Sequence, residues 1–376
     1  MKNNYNKVEP IAVDYSKSCM QNFHKLELEQ KYNLRLNIVG VTNRHEPEKV
    51  TEVMCLFLTV TDYLYKVAVL WIKHDEIEEI IEITKGPIFN QGEMEHKPLL
   101  MNTVRESLLV VGFYNCMGLF TCMLWSIRPI LERFNGKVDL PIWLPYNPDQ
   151  NPHFYVTIFY MWIQISMFAI ANSLIDGLIA FFLEQCKTQI TIIKLDLQSL
   201  VAKCELEKKK SSAHFSDILE TKLKKIIIHH REIVTMAGKV QDIFGNAVFY
   251  QFVSSGLILC TSAYTMTTAD PASLEFISMV FYIMCMLIQL LFYCYYGSKL
   301  TYESDKLMEF SYATDWLSFS VKHRRTLIIF MERIKYPIKP TVGALIPLSN
   351  NTFVSIVRSS YTLYTILKNS QNTSAN

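Results

Sequence analysis

The sequence predicts an all-α, polytopic helical membrane protein with six apparent spans, and three observations support this prediction. Half of the 376 residues are hydrophobic and only 19% are charged, whereas about 25% are charged in a typical soluble protein. Several apolar stretches reach the length of about 20 residues that a helix needs to cross a bilayer. The segments between them keep the spacing of apolar residues found in helices, so we expect long helical extensions.

Six stretches are apolar and long enough, at residues 53–72, 108–130, 154–183, 247–268, 274–297 and 342–367. The first contains Asp62 and Lys66, which are four residues apart and therefore share one face of a helix. A charge in mid-bilayer costs about 2.5–3.5 kcal/mol on insertion scales, and pairing reduces this cost. We therefore interpret Asp62 and Lys66 as a structural pair, and Asp176 in the third span as a contact between helices.

Basic residues are distributed very unevenly among the connections between spans. Eleven lysines and arginines lie between the third and fourth spans and eight between the fifth and sixth, but none lies between the fourth and fifth. By the positive-inside rule, the two basic connections are cytoplasmic. The last helix then enters from the cytoplasm and ends outside, which argues against a G-protein-coupled receptor, whose last helix should end inside.

The N-terminal arm does not fit this orientation with six spans. Residues 1–52 contain eight lysines and arginines and no apolar signal segment, which favours a cytoplasmic position. Six spans with an external C-terminus would instead place this arm outside. We expect either that a first apolar helix is missing from this chain or that the arm crosses in an unusual way.

Two of the cytoplasmic segments are predicted to be helical. Residues 74–83 place Ile77, Ile80 and Ile81 on one face and acidic side chains elsewhere, as in an amphipathic helix. Residues 184–245 predict extensions of the third and fourth membrane helices that pack on each other. The three lysines at 208–210 are expected to form a solvated helix turn, and contact with anionic lipid is the alternative.

The sequence contains no enzyme motif that we can identify. It lacks a nucleophile elbow, a zinc-protease motif, a P-loop and a dinucleotide-binding fingerprint. His229 and His230 are adjacent, so on a helix they point about 100° apart and do not easily share one metal ion. The nine cysteines include no CxxC pair and are expected to be packed as free thiols. With a net charge of +2, we expect no enzyme activity, no cofactor, no metal and no nucleic-acid partner.

The last apolar stretch has two chemically different sides when it is projected at about 100° per residue. One sector is polar and contains Asn351, Thr352, Ser355, Arg358, Ser359, Thr362 and Thr365. Such a stripe either joins helices by hydrogen bonds or lines a water-filled path, and Arg358 favours the second alternative. One helix cannot enclose a conduit, so the pore hypothesis predicts an oligomer. Ile366 interrupts the stripe near its outer end, where an apolar ring can gate a pore by dewetting.

The C-terminal part of the chain resembles the signature of insect odorant receptors. The resemblance is carried by FYCYYGSKLTYES (292–304), SYATDW (311–316), RRTLIIFMERIKYPIKPTVG (324–343) and PLSNNTFVSIVRSSYTLYTIL (347–367). The matching positions are Cys294, Gly297, Leu300, Ser304, Tyr312, Trp316, Arg325, Met331, Arg333, Pro337, Gly343, Phe353, Ser360 and Tyr361. Upstream, IIIHHREIV, FYQFVSSGLILC and LPIWLPYNPDQNPHFY resemble family segments before and within the fifth helix and in the second outer loop.

The resemblance implies a subunit of an odorant-gated, non-selective cation channel that has seven helices. Such receptors form heterotetramers with a shared co-receptor subunit in the plasma membrane of sensory dendrites, and they detect small apolar volatiles. The implied pore-lining residues are Thr352, Ser355, Arg358, Ser359, Thr362 and the gate residue Ile366. A cytoplasmic anchor that holds the subunits together is implied to include Tyr312, Trp316, Arg325 and Met331. The first predicted span resembles the second helix of the family, so the first helix of the family is expected to be absent.

The chain is then expected to divide into seven segments. They are a cytoplasmic-type N-terminal arm (1–52), membrane helices with an outer loop at 131–153 (53–183), a cytoplasmic helical extension (184–245), a hairpin of two membrane helices (246–297), a cytoplasmic anchor helix (298–341), a pore-lining helix (342–367) and a short external tail (368–376).

The resemblance also places a ligand pocket between the outer ends of four helices, where a concave aromatic site suits an apolar odorant. The expected lining residues are Phe57, Thr61, Phe120, Met123, Leu124, Tyr155, Phe159, Ile163, Phe276, Val280 and Ile283. Ordinary core packing is the alternative for each of them, since methionines and aromatics at helical spacing usually pack. Burial of apolar area, at roughly 25 cal/mol per Å², would set the affinity and predicts broad tuning by shape.

Three alternatives to an odorant receptor remain at this point. A gustatory receptor of the same superfamily usually ends with Gln-Phe after a Thr-Tyr motif, which the stretch YTLYTILKNS lacks. A non-functional truncated receptor is compatible with the missing span. A transporter would use Asp62, Lys66 and Asp176 as coupling charges, but it should show internal repeats and interrupted helices, which we do not find.

Overall fold

The structure is a computed structural model that describes residues 47–90, 96–134, 153–210, 214–343 and 345–374. Residues 1–46 of the predicted N-terminal arm (1–52) lie outside the described residues, whereas residues 47–52 form the start of the first helix. A helix before the first predicted span would also lie outside the described residues. Within the described ranges the chain is almost entirely helical. The all-α prediction is therefore confirmed.

Nine α-helices and one small ribbon follow one another in the described ranges. The helices are α1 (Pro47–Ile72), α2 (His74–Lys85), α3 (Lys97–Phe134), α4 (His153–Gln198), α5 (Leu200–Lys210), α6 (Phe215–Thr268), α7 (Leu274–Ala313), α8 (Val321–Ile334) and α9 (Asn350–Ser374). A 3-10 turn at Trp316–Ser318 precedes α8. Strands β1 (Thr341–Val342) and β2 (Ile346–Pro347) pair antiparallel before α9 begins.

Five described helices, α1, α3, α4, α6 and α7, are long and apolar enough to cross a bilayer. They contain the first five predicted spans. The sixth predicted span, 342–367, needs a correction because the chain is helical there only from Asn350. Pro340 and Pro347 lack backbone N–H donors and interrupt a helix, and the residues between them form the ribbon. Helix α9 is not among the five, because polar residues recur along one of its sides.

Helix α4 occupies the centre of the bundle. Helices α3, α6 and α7 pack around it, and α1 packs mainly on α6. Helix α9 packs on α6 and α7 and therefore lies at the periphery of its own chain. This peripheral position matters for function, since it leaves one side of α9 available to something outside this chain.

The end of the bundle that the charge pattern assigns to the cytoplasm has its own apolar core. Helices α4, α6 and α7 continue into it, and α2, α5 and α8 complete it. Its buried residues include Ile77, Ile80, Ile190, Ile193, Leu197, Leu219, Leu223, Leu300, Leu307 and Leu327. The predicted packing of the two long extensions and the amphipathic character of α2 are both confirmed. The segment 298–341, expected as one anchor helix, is divided between the end of α7, the 3-10 turn and α8.

The start of α9 is fastened to α7. The backbone N–H of Asn350 donates to Ser298 Oγ at 2.9 Å, and that of Thr352 donates to Ser349 Oγ at 3.2 Å. Leu348 lies so close to Gly297 that a Cβ at position 297 would be 2.6 Å from the Leu348 carbonyl oxygen. The base of α9 is therefore held directly against α7 at this level.

Candidate functional site

Helix α9 contacts the described part of its own chain through one side. Ser360 is buried against Gly256 of α6, where a Cβ would lie 3.6 Å from Ser360 Oγ. Phe353 and Ile356, on the same side, pack against the hydrophobic core. Both side chains are one or two turns from Ser360, as expected for one helix face.

The polar stripe lies on the opposite side of α9 and faces away from the described chain. Its exposed members are Asn351, Ser355, Arg358, Ser359, Thr362 and the apolar Ile366. Thr352 is half-buried at one margin of the stripe and Thr365 at the other. The hydroxyls of Ser355 and Thr362 donate to carbonyl oxygens of their own helix at 2.9 and 3.0 Å, and their oxygen atoms can still accept hydrogen bonds.

The outward direction of this stripe limits which environments can surround α9. A hydroxyl can satisfy its donor within its own helix, but a guanidinium cannot, and an arginine facing lipid at membrane depth is costly. The outward side of α9 therefore requires water or another protein surface. The sequence left two alternatives for the stripe, namely hydrogen bonds between helices or a water-filled path. Among the residues that the structure describes, the exposed members of the stripe form no hydrogen bonds to other helices of this chain.

Most of the predicted pocket residues lie on outward faces of their helices. Those exposed are Phe57, Phe120, Met123, Tyr155, Phe159, Ile163 and Val280, those half-buried are Thr61, Phe276 and Ile283, and Leu124 is buried. The hydroxyl of Tyr250 donates to Thr61 Oγ1 at 3.0 Å. The Phe120 ring meets Phe281 edge-on with centroids 4.9 Å apart. Their role in ligand binding stays a prediction.

A second set of side chains meets inside the bundle between α1, α3 and α7. We call Thr59, Thr121, Trp125, Tyr282 and Cys285 the inner cluster. The rings of Trp125 and Tyr282 have centroids 5.2 Å apart, and the Tyr282 hydroxyl lies 2.8 Å from Thr59 Oγ1. Thr121 Oγ1 lies 3.7 Å from Cys285 Sγ. These residues offer an aromatic wall with hydroxyl groups, which is the chemistry expected for a pocket that orients a small ligand.

The sequence did contain a signal for this inward face. Thr59, Asp62, Tyr63 and Lys66 recur at spacings of three and four residues on α1, and membrane helices turn such polar side chains toward the bundle. Phe57 lies on the opposite side of the same helix. Periodicity of polar residues, rather than of aromatic residues, was therefore the better guide to the interior.

A buried ionic cluster lies below the inner cluster and centres on Lys66, whose side chain is 1% exposed. Its ammonium donates to Asp176 Oδ1 at 2.6 Å and to Asn172 Oδ1 at 3.1 Å. It also pairs with Asp62 Oδ2 at 3.0 Å. The predicted pairing of Asp62 with Lys66 is confirmed, and α1 is joined to α4.

Asp176 connects this cluster to two further helices. Gln289 Nε2 donates to Asp176 Oδ2 and the Tyr293 hydroxyl donates to Asp176 Oδ1, each at 2.5 Å. Gln289 Nε2 also contacts Gln251 Oε1 of α6 at 3.2 Å. Asp176 of α4 therefore contacts α1 and α7 directly and α6 through Gln289, which confirms that Asp176 is a contact between helices.

The adjacent histidines pack between helices in the part of α6 that precedes the fourth predicted span. His229 Nε2 lies 2.8 Å from Gln189 Oε1, and the His230 ring meets Phe330 edge-on at 5.5 Å. Burial lowers the pKa of each imidazole to about 4, and Arg333 adds to the effect at His230. Among the described residues, no group of three His, Cys, Asp or Glu side chains could hold a metal ion.

The predicted anchor residues lie beside an exposed apolar surface. Met331 is buried, Trp316 is half-buried, and Tyr312 and Arg325 are exposed. Around them, large apolar side chains are open to water, and we call this set the anchor patch: Tyr312, Leu317, Val321, Ile328, Ile329 and Tyr336. Exposed apolar surfaces of this kind are typical of protein contact sites, and the anchor role of these residues stays a prediction.

The arrangement is that of a polytopic helical membrane protein. The sequence matches the family described as 7tm Odorant receptor over residues 46–361. Because this match covers most of the chain, the protein belongs to the insect odorant receptor family. It is a receptor of the olfactory system and not an enzyme.

Individual relatives agree with this assignment. Odorant receptor Or1 from Anopheles gambiae is 21% identical over 337 residues, which cover 85% of this chain and 81% of the relative. Odorant receptor 46a, isoform A, from Drosophila melanogaster is 26% identical over 90% of this chain and 87% of its own. The solved insect olfactory receptor OR5 from Machilis hrabei, in complex with eugenol, is similar in fold with a TM-score of 0.74. That likeness covers 98% of this chain and 92% of the other at 14% identity.

Proposed function

We propose that this protein is a subunit of an odorant-gated, non-selective cation channel in the plasma membrane of sensory dendrites. The observation that carries the proposal is the polar stripe of α9, which faces away from its own bundle. Water along that face satisfies the hydroxyls and the arginine. The apolar Ile366, 59% exposed toward the outer end of the same stripe, is the gate.

The pore is completed by other subunits, namely a shared co-receptor together with this chain in a heterotetramer. Several copies of α9 or its counterpart have to surround an axis before a stripe becomes a conduit. The anchor patch supplies the apolar surface that such an assembly buries at its cytoplasmic end. Its components Ile329 and Tyr336 are each 71% exposed, so their burial would contribute substantially to association.

The ligand class is a small, apolar volatile. The inner cluster provides an aromatic wall and hydroxyls, and the predicted lining residues, such as Phe120 and Phe159, form the outer margin of the proposed pocket. The relative from Machilis hrabei was solved with eugenol, a small aromatic compound. Affinity then follows from burial of apolar area, with a hydrogen bond to fix orientation.

Helix α7 joins the proposed pocket to the proposed pore. It carries Tyr282 in the inner cluster, and it also carries Gly297 and Ser298, which hold the base of α9. A ligand that displaces Tyr282 therefore acts on the helix to which α9 is fastened. This gives odorant binding a direct mechanical route to the pore.

The test is whole-cell current from cells that express this chain with the co-receptor, during application of a panel of volatiles. We expect a cation current that requires this chain. Tyr282→Ala should raise the half-effective odorant concentration by about tenfold, the equivalent of one lost contact of about 1.4 kcal/mol. Tyr302→Ala removes an exposed tyrosine from the same helix and should leave sensitivity unchanged.

Phe120→Ala and Phe159→Ala test the outer margin of the pocket in the same assay. Unchanged sensitivity in both variants, with surface level preserved, would remove the predicted lining residues from the site. Unchanged sensitivity in Tyr282→Ala would remove the inner cluster. Equal currents with and without this chain would contradict the receptor proposal as a whole.

A further inference from the structure

We propose that Arg358 limits the cation current through the assembled pore, and that the subunits facing it present neutral or acidic side chains at this level. The inference rests on the proposed function, because it takes the α9 stripe as the wall of the pore. The inference goes beyond the proposed function in two ways. It assigns the control of conductance to Arg358, and it states which side chains the facing subunits present at that level.

The position of Arg358 on α9 carries the argument. The side chain is exposed and belongs to the stripe that faces away from the bundle. At 1.5 Å per residue, it lies about 12 Å above Asn350 at the helix start and about 12 Å below Ile366. A permeating ion that passes the gate therefore also passes Arg358.

Nothing on α9 itself neutralises this charge. Residues 350–374 contain no aspartate or glutamate, and Lys368 is the other charged residue of that segment. Within the described part of the chain, Arg358 forms no ion pair. The buried carboxylates Asp62 and Asp176 are committed to Lys66.

Rings of basic side chains in a pore attract anions and repel cations. A closed assembly of identical subunits would present one Arg358 from each copy at the same level. Coulomb's law gives a decrease in local cation concentration of about twofold for each charge about 10 Å away in water. A cation current is therefore favoured by partners without a basic residue here, and it falls as the number of Arg358 copies rises.

The test compares three substitutions at one position after co-expression with the co-receptor. Single-channel conductance and reversal potentials under ion substitution are measured for Arg358→Lys, Arg358→Gln and Arg358→Glu. We expect the lysine variant to match the wild type, the glutamine variant to conduct about twofold more, and the glutamate variant to conduct more still. Arg231→Gln makes the same charge change at an exposed site on cytoplasmic α6 and should have no effect.

Equal conductance in the wild type and in the Gln and Glu variants would overturn the inference while leaving the receptor proposal intact. If the wild type passes no current, labelling tests the premise of the inference, which is that Arg358 faces an aqueous path. Arg358→Cys and Ile356→Cys are made in a background without the exposed Cys116 and without Cys19, and both are treated with a charged maleimide in intact membranes. Faster labelling at position 358 supports an aqueous path there, and equal labelling at both positions overturns it.

Discussion

At the scale of single residues, the buried ionic cluster shows how this chain keeps charges inside its membrane region. Lys66 is surrounded by oxygen atoms from Asp62, Asn172 and Asp176. Asp176 in turn accepts hydrogen bonds from three different donors. Removing one partner from such a buried set leaves an uncompensated charge, which costs far more than the loss of a surface pair.

Asp176→Asn should therefore destabilise the protein strongly. The substitution keeps the shape of the side chain but leaves Lys66 with only one carboxylate and places amide hydrogens against two donors. We expect a loss of about 3–5 kcal/mol, seen as a much lower melting temperature in detergent by fluorescence-detected size-exclusion chromatography. Asp75→Asn, at a fully exposed position on α2, should stay within about 0.5 kcal/mol of the wild type. Similar melting of the two variants would show that the cluster is not structural.

Residue-level prediction from sequence succeeded where charge was the signal. The pairing of Asp62 with Lys66 followed from their spacing alone. The inner aromatic residues were harder to predict, because aromatic side chains occur both on lipid-facing and on interior faces of membrane helices. Contacts with other helices distinguish Tyr282 from Phe57, and those contacts are not visible in the sequence. The requirement for glycine at position 297 depends on the close approach of Leu348, fifty-one residues later, which no local pattern indicates.

At the scale of elements, the long helices were predictable because apolar length and helical periodicity determine them. The start of α9 was not, because the ribbon of β1 and β2 depends on backbone pairing across a turn. That turn uses Gly343 with a positive φ of 56°, packed against Phe249. The break between α7 and α8 near Thr314 was likewise absent from the expected single anchor helix.

The packing of α6 around its two adjacent histidines should depend on pH. His229 and His230 have pKa values near 4 in the folded protein because both are buried, against about 6.5 when unfolded. The unfolded chain therefore binds more protons between pH 6.5 and 4, so stability is full above this window and falls as pH decreases through it. At pH 5 the loss is about 2 kcal/mol for each imidazole.

Melting temperatures measured from pH 7.5 to pH 5 test this prediction. His230→Gln should reduce the pH dependence by about half, because one of the two buried titrating groups is gone. His74→Gln, on the partly exposed surface of α2, should keep the dependence of the wild type. A flat profile for the wild type would contradict the burial of the two imidazoles in solution.

At the scale of the whole molecule, the polar stripe of α9 and the anchor patch both favour the same kind of assembly. The polar stripe of α9 is unsuited to lipid, and the anchor patch is unsuited to water. Both are surfaces that the described helices leave open, one along the membrane region and one at the end that the charge pattern assigns to the cytoplasm. An oligomer with a central aqueous path satisfies both at once, which is why we propose a channel rather than a monomeric receptor.

The most direct test of this central claim is chemical modification of the stripe during channel activity. Thr362→Cys is expressed with the co-receptor in a background without Cys116, and a cationic methanethiosulfonate reagent is applied while an odorant holds the channel open. We predict an irreversible loss of most of the odorant-evoked current, because a bulky charge is added to the pore wall. Tyr364→Cys, on the half-buried side of α9, should be unaffected. An unchanged current in a Thr362→Cys receptor that reaches the surface and responds to odorant would contradict the claim that α9 lines the pore.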